Sequence, residues 1–387
     1  MRPLSSIKLF FGLFILWAIL YFGVMVILDP LKILHKPWFF SDCLQENMRE
    51  QAAGLIKTRS FDSVILGTSM LENTSASEAS QKLGGTFLNL SIAGSDFVER
   101  GIVLNALLAE KPIKTVIYSL DDRGLVEPRR GDESYPIEEW SYLYDGKRWS
   151  DFFWAYTSTD YLMSLITTGV IGHKANFDRP NAWYTQKEHQ ERFGGLDRWF
   201  KAQNNNQVKA AFMTIASTIR HIRHHEVKAV TPATSAKIRQ SQHYFDETIL
   251  SFAHQSPQTQ FILILPPYAR MTYAMEAQYD QERFAIYCAM IRYIVEKSSF
   301  YPNISLYGWG NESFVDDIRM YKDPTHYHVS INSFMLDAIS QQKGRLTAHN
   351  VETYLSTFGE KSRHYDLFSL GASIDAYLSH HHYLSKN

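Results

Sequence analysis

The residue types that make a serine into a nucleophile occur in this chain at places a fold could bring together. Ser69 stands in Leu66-Gly67-Thr68-Ser69-Met70, directly after a short apolar run, where Gly67 permits a tight bend. Far down the chain, Lys322-Asp323-Pro324-Thr325-His326-Tyr327-His328 carries an Asp three residues before a His. A serine hydroxyl is a poor nucleophile at neutral pH until a base takes its proton. His326 is the candidate base, and Asp323 the group that fixes its tautomer. Acyl chemistry also needs donors for the developing oxyanion, and Gly94, after a second apolar run, offers a backbone N–H beside that of Ser69. Taken alone, the Ser69 turn reads equally as an ordinary helix N-cap. His328 competes with His326, from which only the spacing to Asp323 separates it.

The elements that must position these residues read as alternating strands and helices. Phe61 to Leu66 (FDSVIL), Thr86 to Leu90 and Thr115 to Leu120 (TVIYSL) are short apolar runs ending in turn residues. Helical spacing follows the first two, over Ser75 to Leu83 and Phe97 to Ala109. The alternation resumes with a helix near Lys237 to His254, a strand at Gln260 to Leu265 (QFILIL), a helix over Ala274 to Ser298, a strand at Ile304 to Tyr307 and a helix over Ser330 to Gln342. This pattern predicts an α/β fold with a parallel sheet whose strand ends carry the site. Residues 59–121 and 241–345 are its two halves, with 122–240 an insertion or cap and 346–387 a C-terminal extension. Within the insertion, Tyr135 to Tyr161 is dense in aromatics, among them Trp140, Tyr142, Trp149, Phe152, Phe153, Trp154 and Tyr156. These rings either line a glycan groove or bury one another in a cap. The stretch Asn204 to Thr231 reads as a polar, basic helix.

One segment departs from a soluble pattern. Leu9 to Leu28 (LFFGLFILWAILYFGVMVIL) carries no charge, and at about 1.5 Å per residue a helix of this length matches the roughly 30 Å apolar core of a bilayer. It is longer than the core of a cleaved signal and ends in bulky residues, so it reads as an uncleaved signal anchor. The basic tail 1–8 is expected in the cytoplasm and the globular part outside. Residues 29–58 are expected to form a stalk or lead-in helix, with helical composition over Asp42 to Lys57.

Several chemistries are excluded or set aside. Lys plus Arg number 39 against 40 for Asp plus Glu, which gives no electrostatic footprint for nucleic acid. Two cysteines far apart make neither a disulfide scaffold nor a Cys-built zinc site. His221, His224 and His225 read as a solvated basic face, and His380 to His382 as an exposed tail. No metal and no cofactor are expected.

The order of an early Gly-x-Ser, a Gly after the second strand and a late Asp-x-x-His resembles the SGNH (GDSL-like) hydrolase superfamily. The phrases FDSVILGTSMLEN, FLNLSIAGSDF, FILILPPY and KDPTHYHVSINSFML are similar to membrane-anchored SGNH-like proteins of bacterial envelope-polymer modification. Those include relatives of the D-alanyl-lipoteichoic acid transfer protein and of the alginate O-acetylation proteins. The resemblance covers 60–121 and 258–342. It implies an α/β fold of three layers, α/β/α, preceded by one N-terminal transmembrane helix. It also implies Ser69 as nucleophile, His326 as base, Asp323 as its partner and Gly94 as oxyanion donor. The superfamily's third block supplies an Asn where this chain has Tyr118-Ser119-Leu120-Asp121-Asp122, and Asn73 is the candidate replacement donor.

The expected protein is therefore a single-pass protein of the bacterial inner membrane. Its extracytoplasmic domain would move an acyl group, acetyl first among the candidates, on or off an envelope polysaccharide. Placement at the membrane favours a transferase fed by a multi-pass membrane O-acyltransferase. The second reading, motivated by the missing Asn, is a catalytically weak glycan-binding or assembly subunit. A third is a plain esterase of small esters or lipids.

Overall fold

The computed structural model describes residues 3–38, 43–44, 47–131, 135–159, 161–163, 173–174 and 176–384. Six strands form the main sheet: β1 (Ser63–Leu66), β2 (Phe87–Asn89), β3 (Thr115–Ser119), β4 (Gln260–Leu265), β5 (Ile304–Gly308) and β6 (Arg345–Leu346). Their order across the sheet is β2-β1-β3-β4-β5-β6. The first five run parallel, pairing Val64 with Leu88 and Val116, Ile117 with Ile262, and Leu263 with Leu306. Val64, Ile65, Val116, Ile117, Leu263 and Ile264 are all buried, so neighbouring residues on both faces of the sheet are covered. That is why these strands read as continuous apolar runs rather than alternating ones.

The sheet is mixed, which corrects the expectation of a parallel sheet: β6 lies antiparallel on β5. This two-residue strand follows Gly344, whose φ is +78°, and is too short to leave a period in the sequence. A second pairing, outside the main sheet, joins Cys43–Leu44 to His173–Lys174.

Helices Ala76–Leu83 and Val329–Ser340 pack on each other. Met48–Thr58, Phe97–Glu110, Thr234–Phe245 and Gln281–Phe300 form a second connected group, joined through the π-helical turn Asp246–Leu250. The helix expected over Ala274 to Ser298 is two helices, Arg270–Gln278 and Gln281–Phe300, separated where the Asp280 side chain caps the second by accepting from the Arg283 N–H. The C-terminal extension belongs to the core. Val351, Leu355 and Phe358 of Val351–His364 are buried in the main cluster, and Leu367–Leu384 packs against Asn206–Arg223. His380 to His382 fall in that last helix, their side chains outside the described residues.

Among the described residues one helix, Ile7–Leu28, is long and apolar enough to cross a membrane. Residues 29–58 are not a free stalk. The helix begins at Met48 rather than Asp42, with Asp42, Gln45 and Glu46 outside the described residues. Its residues Ala52, Leu55 and Ile56 are buried in the main core. Leu31, Ile33 and Ala53 join Met25, Leu143, Phe152, Ala155, Tyr156 and Tyr161 in a second apolar cluster. Apolar burial on both sides of the segment holds it against the domain.

Candidate active site

Ser69 lies on the turn between β1 and the helix Ala76–Leu83. It is not the cap of that helix. Ser75 caps it, accepting from the Glu78 N–H, which leaves the Ser69 hydroxyl free for other work. Gly67 is required by close approach, since a Cβ there would meet Ser119 Oγ at 2.7 Å and Leu71 Cδ1 at 2.8 Å. The turn is held by amide side chains from two other elements. Asn89 Nδ2 donates to the carbonyls of Leu71 and Thr74, each at 2.8 Å. Asn332 Nδ2 donates to the Met70 carbonyl at 3.0 Å and to Thr74 Oγ1 at 2.8 Å.

The loop after β5 is as tightly built. Tyr321 and Tyr327, both buried, form an antiparallel bridge, and the Lys322 N–H donates to the His326 carbonyl at 3.0 Å. This closes Asp323-Pro324-Thr325-His326 into a small loop. Inside it, the Asp323 Oδ1 accepts from the backbone N–H of Thr325 (3.0 Å) and of His326 (2.9 Å). His326 Nδ1 stands 2.9 Å from both Asp323 carboxylate oxygens, and His326 Nε2 stands 2.9 Å from Ser69 Oγ. With the carboxylate at Nδ1, the proton is held there, and the Nε2 lone pair faces the Ser69 hydroxyl. Burial pushes the Asp323 carboxyl upward. The charge and hydrogen bonds of His326, with the charge of Lys322, outweigh it and hold Asp323 well below the usual carboxylate range.

His328 does different work. Its Nδ1 accepts from the Ser330 N–H at 3.2 Å and caps Val329–Ser340, while its ring meets the Phe193 ring edge to face. Burial lowers its pKa. The capping contact separates the two histidines where spacing along the chain left them in competition.

Ser69 and His326 open on a cavity of about 480 Å³ whose wall includes Thr68, Gly94, Asp96, Arg100, Asp121, Arg129, Tyr268 and Arg283. Gly94 is exposed there at φ +68°. Its turn is tied to the Ser69 turn by the Ile92 N–H donating to the Gly67 carbonyl at 2.8 Å. Asn73 is not among the wall residues. Its side chain is wholly buried, and its carbonyl accepts from Arg179 Nε at 2.9 Å. Asp121, two residues past the end of β3, accepts from Thr68 Oγ1 (2.8 Å), Ser119 Oγ (2.9 Å) and Arg100 Nη2 (3.2 Å). An acceptor in this position donates nothing to an oxyanion.

The insertion reaches the site through a residue that no motif marked. Trp183 Nε1 donates to the Ser69 carbonyl at 3.0 Å, and its ring stands perpendicular to that of His326, with centroids 5.6 Å apart. Lys322 Nζ sits 4.1 Å from the Trp183 ring centroid and 3.0 Å from His189 Nδ1. Burial draws Lys322 down to about 8 and, with the positive charges of Lys322 and Arg192, draws His189 down to about 4. Burial raises Glu72, behind Ser69, to about 7 against the opposing hydrogen bonds from Asn181 and the Ala93 backbone. The aromatic block 135–161 contributes nothing to the cavity wall, so its rings do not form a groove there. Among the described residues no group of three or more His, Cys, Asp or Glu is placed to hold a metal ion. His221 instead stacks on Tyr279 and pairs with Glu226.

Comparison with protein-family models, with curated proteins and with solved structures finds no match to this chain.

Proposed function

We propose that this chain is a membrane-anchored serine acyltransferase or esterase of SGNH-like architecture. The observation that carries the reading is the Ser69–His326–Asp323 relay, with 2.9 Å at each link. In the step it supports, His326 Nε2 takes the Ser69 proton as Oγ bonds to the acyl carbon, and the carbonyl oxygen becomes an oxyanion. The backbone N–H groups of Ser69 and Gly94 are the donors proposed for it. Collapse breaks the bond to the leaving oxygen, which receives the proton from His326, and leaves acyl-Ser69. An acceptor hydroxyl, from water or a sugar, then gives its proton to His326 as its oxygen bonds to the acyl carbon, and collapse breaks the acyl–Oγ bond while His326 returns the proton to Ser69 Oγ.

The fold supports the same reading. Strand order reverses at β1, between β2 and β3, and the crevice at the carboxyl ends beside such a switch is where open α/β sheets bind ligands. Right-handed crossovers would put Ala76–Leu83 and Phe97–Glu110 on opposite faces of the sheet, as the proposed three-layer, SGNH-like arrangement requires. The apolar helix Ile7–Leu28 is read as a signal anchor in a bacterial inner membrane, with the domain on the periplasmic side. The substrate is then an envelope or secreted polysaccharide carrying O-acyl, first of all O-acetyl, groups. A multi-pass membrane O-acyltransferase is the proposed donor.

The lack of an Asn after β3, where Asp121 only accepts hydrogen bonds, favours a second reading, a glycan-binding or assembly subunit with weak catalysis. Turnover of a chromogenic acetyl ester by the full chain, with and without O-acetylated polysaccharide, separates the two. The enzyme reading requires turnover that Ser69→Ala abolishes. Polysaccharide binding without any Ser69-dependent turnover supports the subunit instead, and turnover indifferent to polysaccharide supports a plain esterase.

A further inference from the structure

The helix Arg148–Thr157 carries large apolar side chains both toward the domain and away from it, among Arg148, Ser150, Asp151 and Thr157. Phe152, Ala155 and Tyr156 point inward and are buried, whereas Trp149, Phe153 and Trp154 are 60%, 46% and 70% exposed. Three large exposed rings on a ten-residue helix are a surface that water does not favour, and the inward face has already found its core.

Phe153 continues the apolar surface of the spanning helix, and Trp154 stands at the edge of a cavity of about 580 Å³ shared with Tyr142, Glu50, Glu138 and Glu139. The Phe153 ring lies 4.8 Å from that of Phe22, and Tyr21 Oη donates to the Tyr156 carbonyl at 2.5 Å. Phe22 precedes the end of the span at Leu28 by six residues, so Phe153 sits about 9 Å inside that end at 1.5 Å per residue. An interfacial helix buries its apolar face to about that depth.

The attachment is rigid. Tyr156 Oη donates to Asp29 Oδ1 at 2.8 Å and accepts from the Leu31 N–H at 2.9 Å. Asp29 also accepts from the N–H groups of Ile33, Leu34 and His35. Lys147 and Arg148 are exposed at the head of the helix, where basic side chains can reach phosphate groups. Trp rings suit this depth, being apolar in body with one polar edge.

We propose that Arg148–Thr157 is a membrane-interface helix: Trp149, Phe153 and Trp154 insert into the leaflet that holds the end of the span and seat the domain directly on the bilayer. The occupant of this aromatic face is the phospholipid surface itself. The inference rests on Ile7–Leu28 spanning the membrane, and the test separates the two.

The full chain, with Cys43→Ser and Cys288→Ser, is placed in phospholipid nanodiscs. Single nitroxides are attached at Leu16→Cys, Phe153→Cys, Trp154→Cys or Met213→Cys. Collision rates with oxygen, which concentrates in lipid, are compared with those of a water-soluble nickel chelate. Leu16 lies within the span, and Met213 is 64% exposed on the distant helix Asn206–Arg223. The expected result is an oxygen-to-nickel ratio at 153 and 154 well above that at 213 and toward that at 16. A ratio at 154 equal to that at 213, with 16 reading lipid, overturns the interface helix and leaves the span intact. Low collision rates with both reagents at 154 mean that protein covers it, a second copy for instance, and overturn the proposal as well. A water-like ratio at 16 removes the span and the proposal together. Because Phe153 touches Phe22, position 154 decides the outcome if the label at 153 disturbs packing.

Discussion

The indole N–H of Trp183 donates to the backbone carbonyl of Ser69 at 3.0 Å, which ties the insertion to the residue proposed as nucleophile. The same ring stands edge-on to His326, so one side chain fixes two members of the relay. Trp183→Phe keeps a ring and deletes the donor. One hydrogen bond of about 1 kcal/mol corresponds to roughly a five-fold fall in kcat. Steady-state kinetics on an acetyl ester should show this fall with little change in KM. An unchanged kcat would remove Trp183 from the positioning of Ser69.

Asp323 holds the imidazole by two carboxylate contacts of 2.9 Å. Asp323→Asn turns an acceptor into a mixed donor and acceptor and favours the wrong His326 tautomer. A fall in kcat of about 10³-fold or more is expected. Comparable turnover in Asp323→Asn and the parent chain would remove Asp323 from the orientation of His326.

His328 is assigned to capping, through the Ser330 N–H. His328→Asn preserves a cap and should leave kcat near that of the parent, whereas His328→Ala should cost about 1 kcal/mol of stability. Thermal unfolding together with ester turnover checks both. A loss of turnover in His328→Asn as deep as in His326→Gln would return His328 to the chemistry.

Glu72 has a folded pKa raised to about 7 from an ordinary 4.5, chiefly by burial. The folded chain therefore holds the proton more tightly than the unfolded one. Its contribution to stability is full below the ordinary value and is lost as pH rises toward 7. Glu72→Gln mimics the protonated form. The variant should match the parent near pH 4 and exceed it at pH 8 by on the order of 3 kcal/mol. Parallel stability curves for the two chains would show that folding does not raise the Glu72 pKa.

What could be read from the sequence was local. Ser69 follows a strand that announces itself by its apolar run, and Asp323 and His326 share one loop, so spacing alone could pair them. The meeting of Ser69 with His326 joins residues 257 positions apart, and it became an expectation only through the order of motifs. Trp183 had no such signal. Its two contacts depend on where the insertion folds back, which no period in the chain encodes. Asn73 was legible as a candidate donor by proximity, but the turn carries its amide inward. The aromatic block drew attention by composition, yet its rings divide between a buried cluster, a contact of Phe153 with the span, and a separate cavity lined by Tyr142 and Trp154, away from Ser69. The antiparallel β6 was hidden by its length.

The central claim is that Ser69 is an activated nucleophile, and covalent capture tests it most directly. The full chain in detergent is treated with a fluorophosphonate, digested, and the modified peptide identified by mass. One adduct is predicted, on Ser69, absent in Ser69→Ala and formed far more slowly in His326→Gln. No adduct on Ser69 in the folded chain, or labelling that persists unchanged in Ser69→Ala, would contradict the claim.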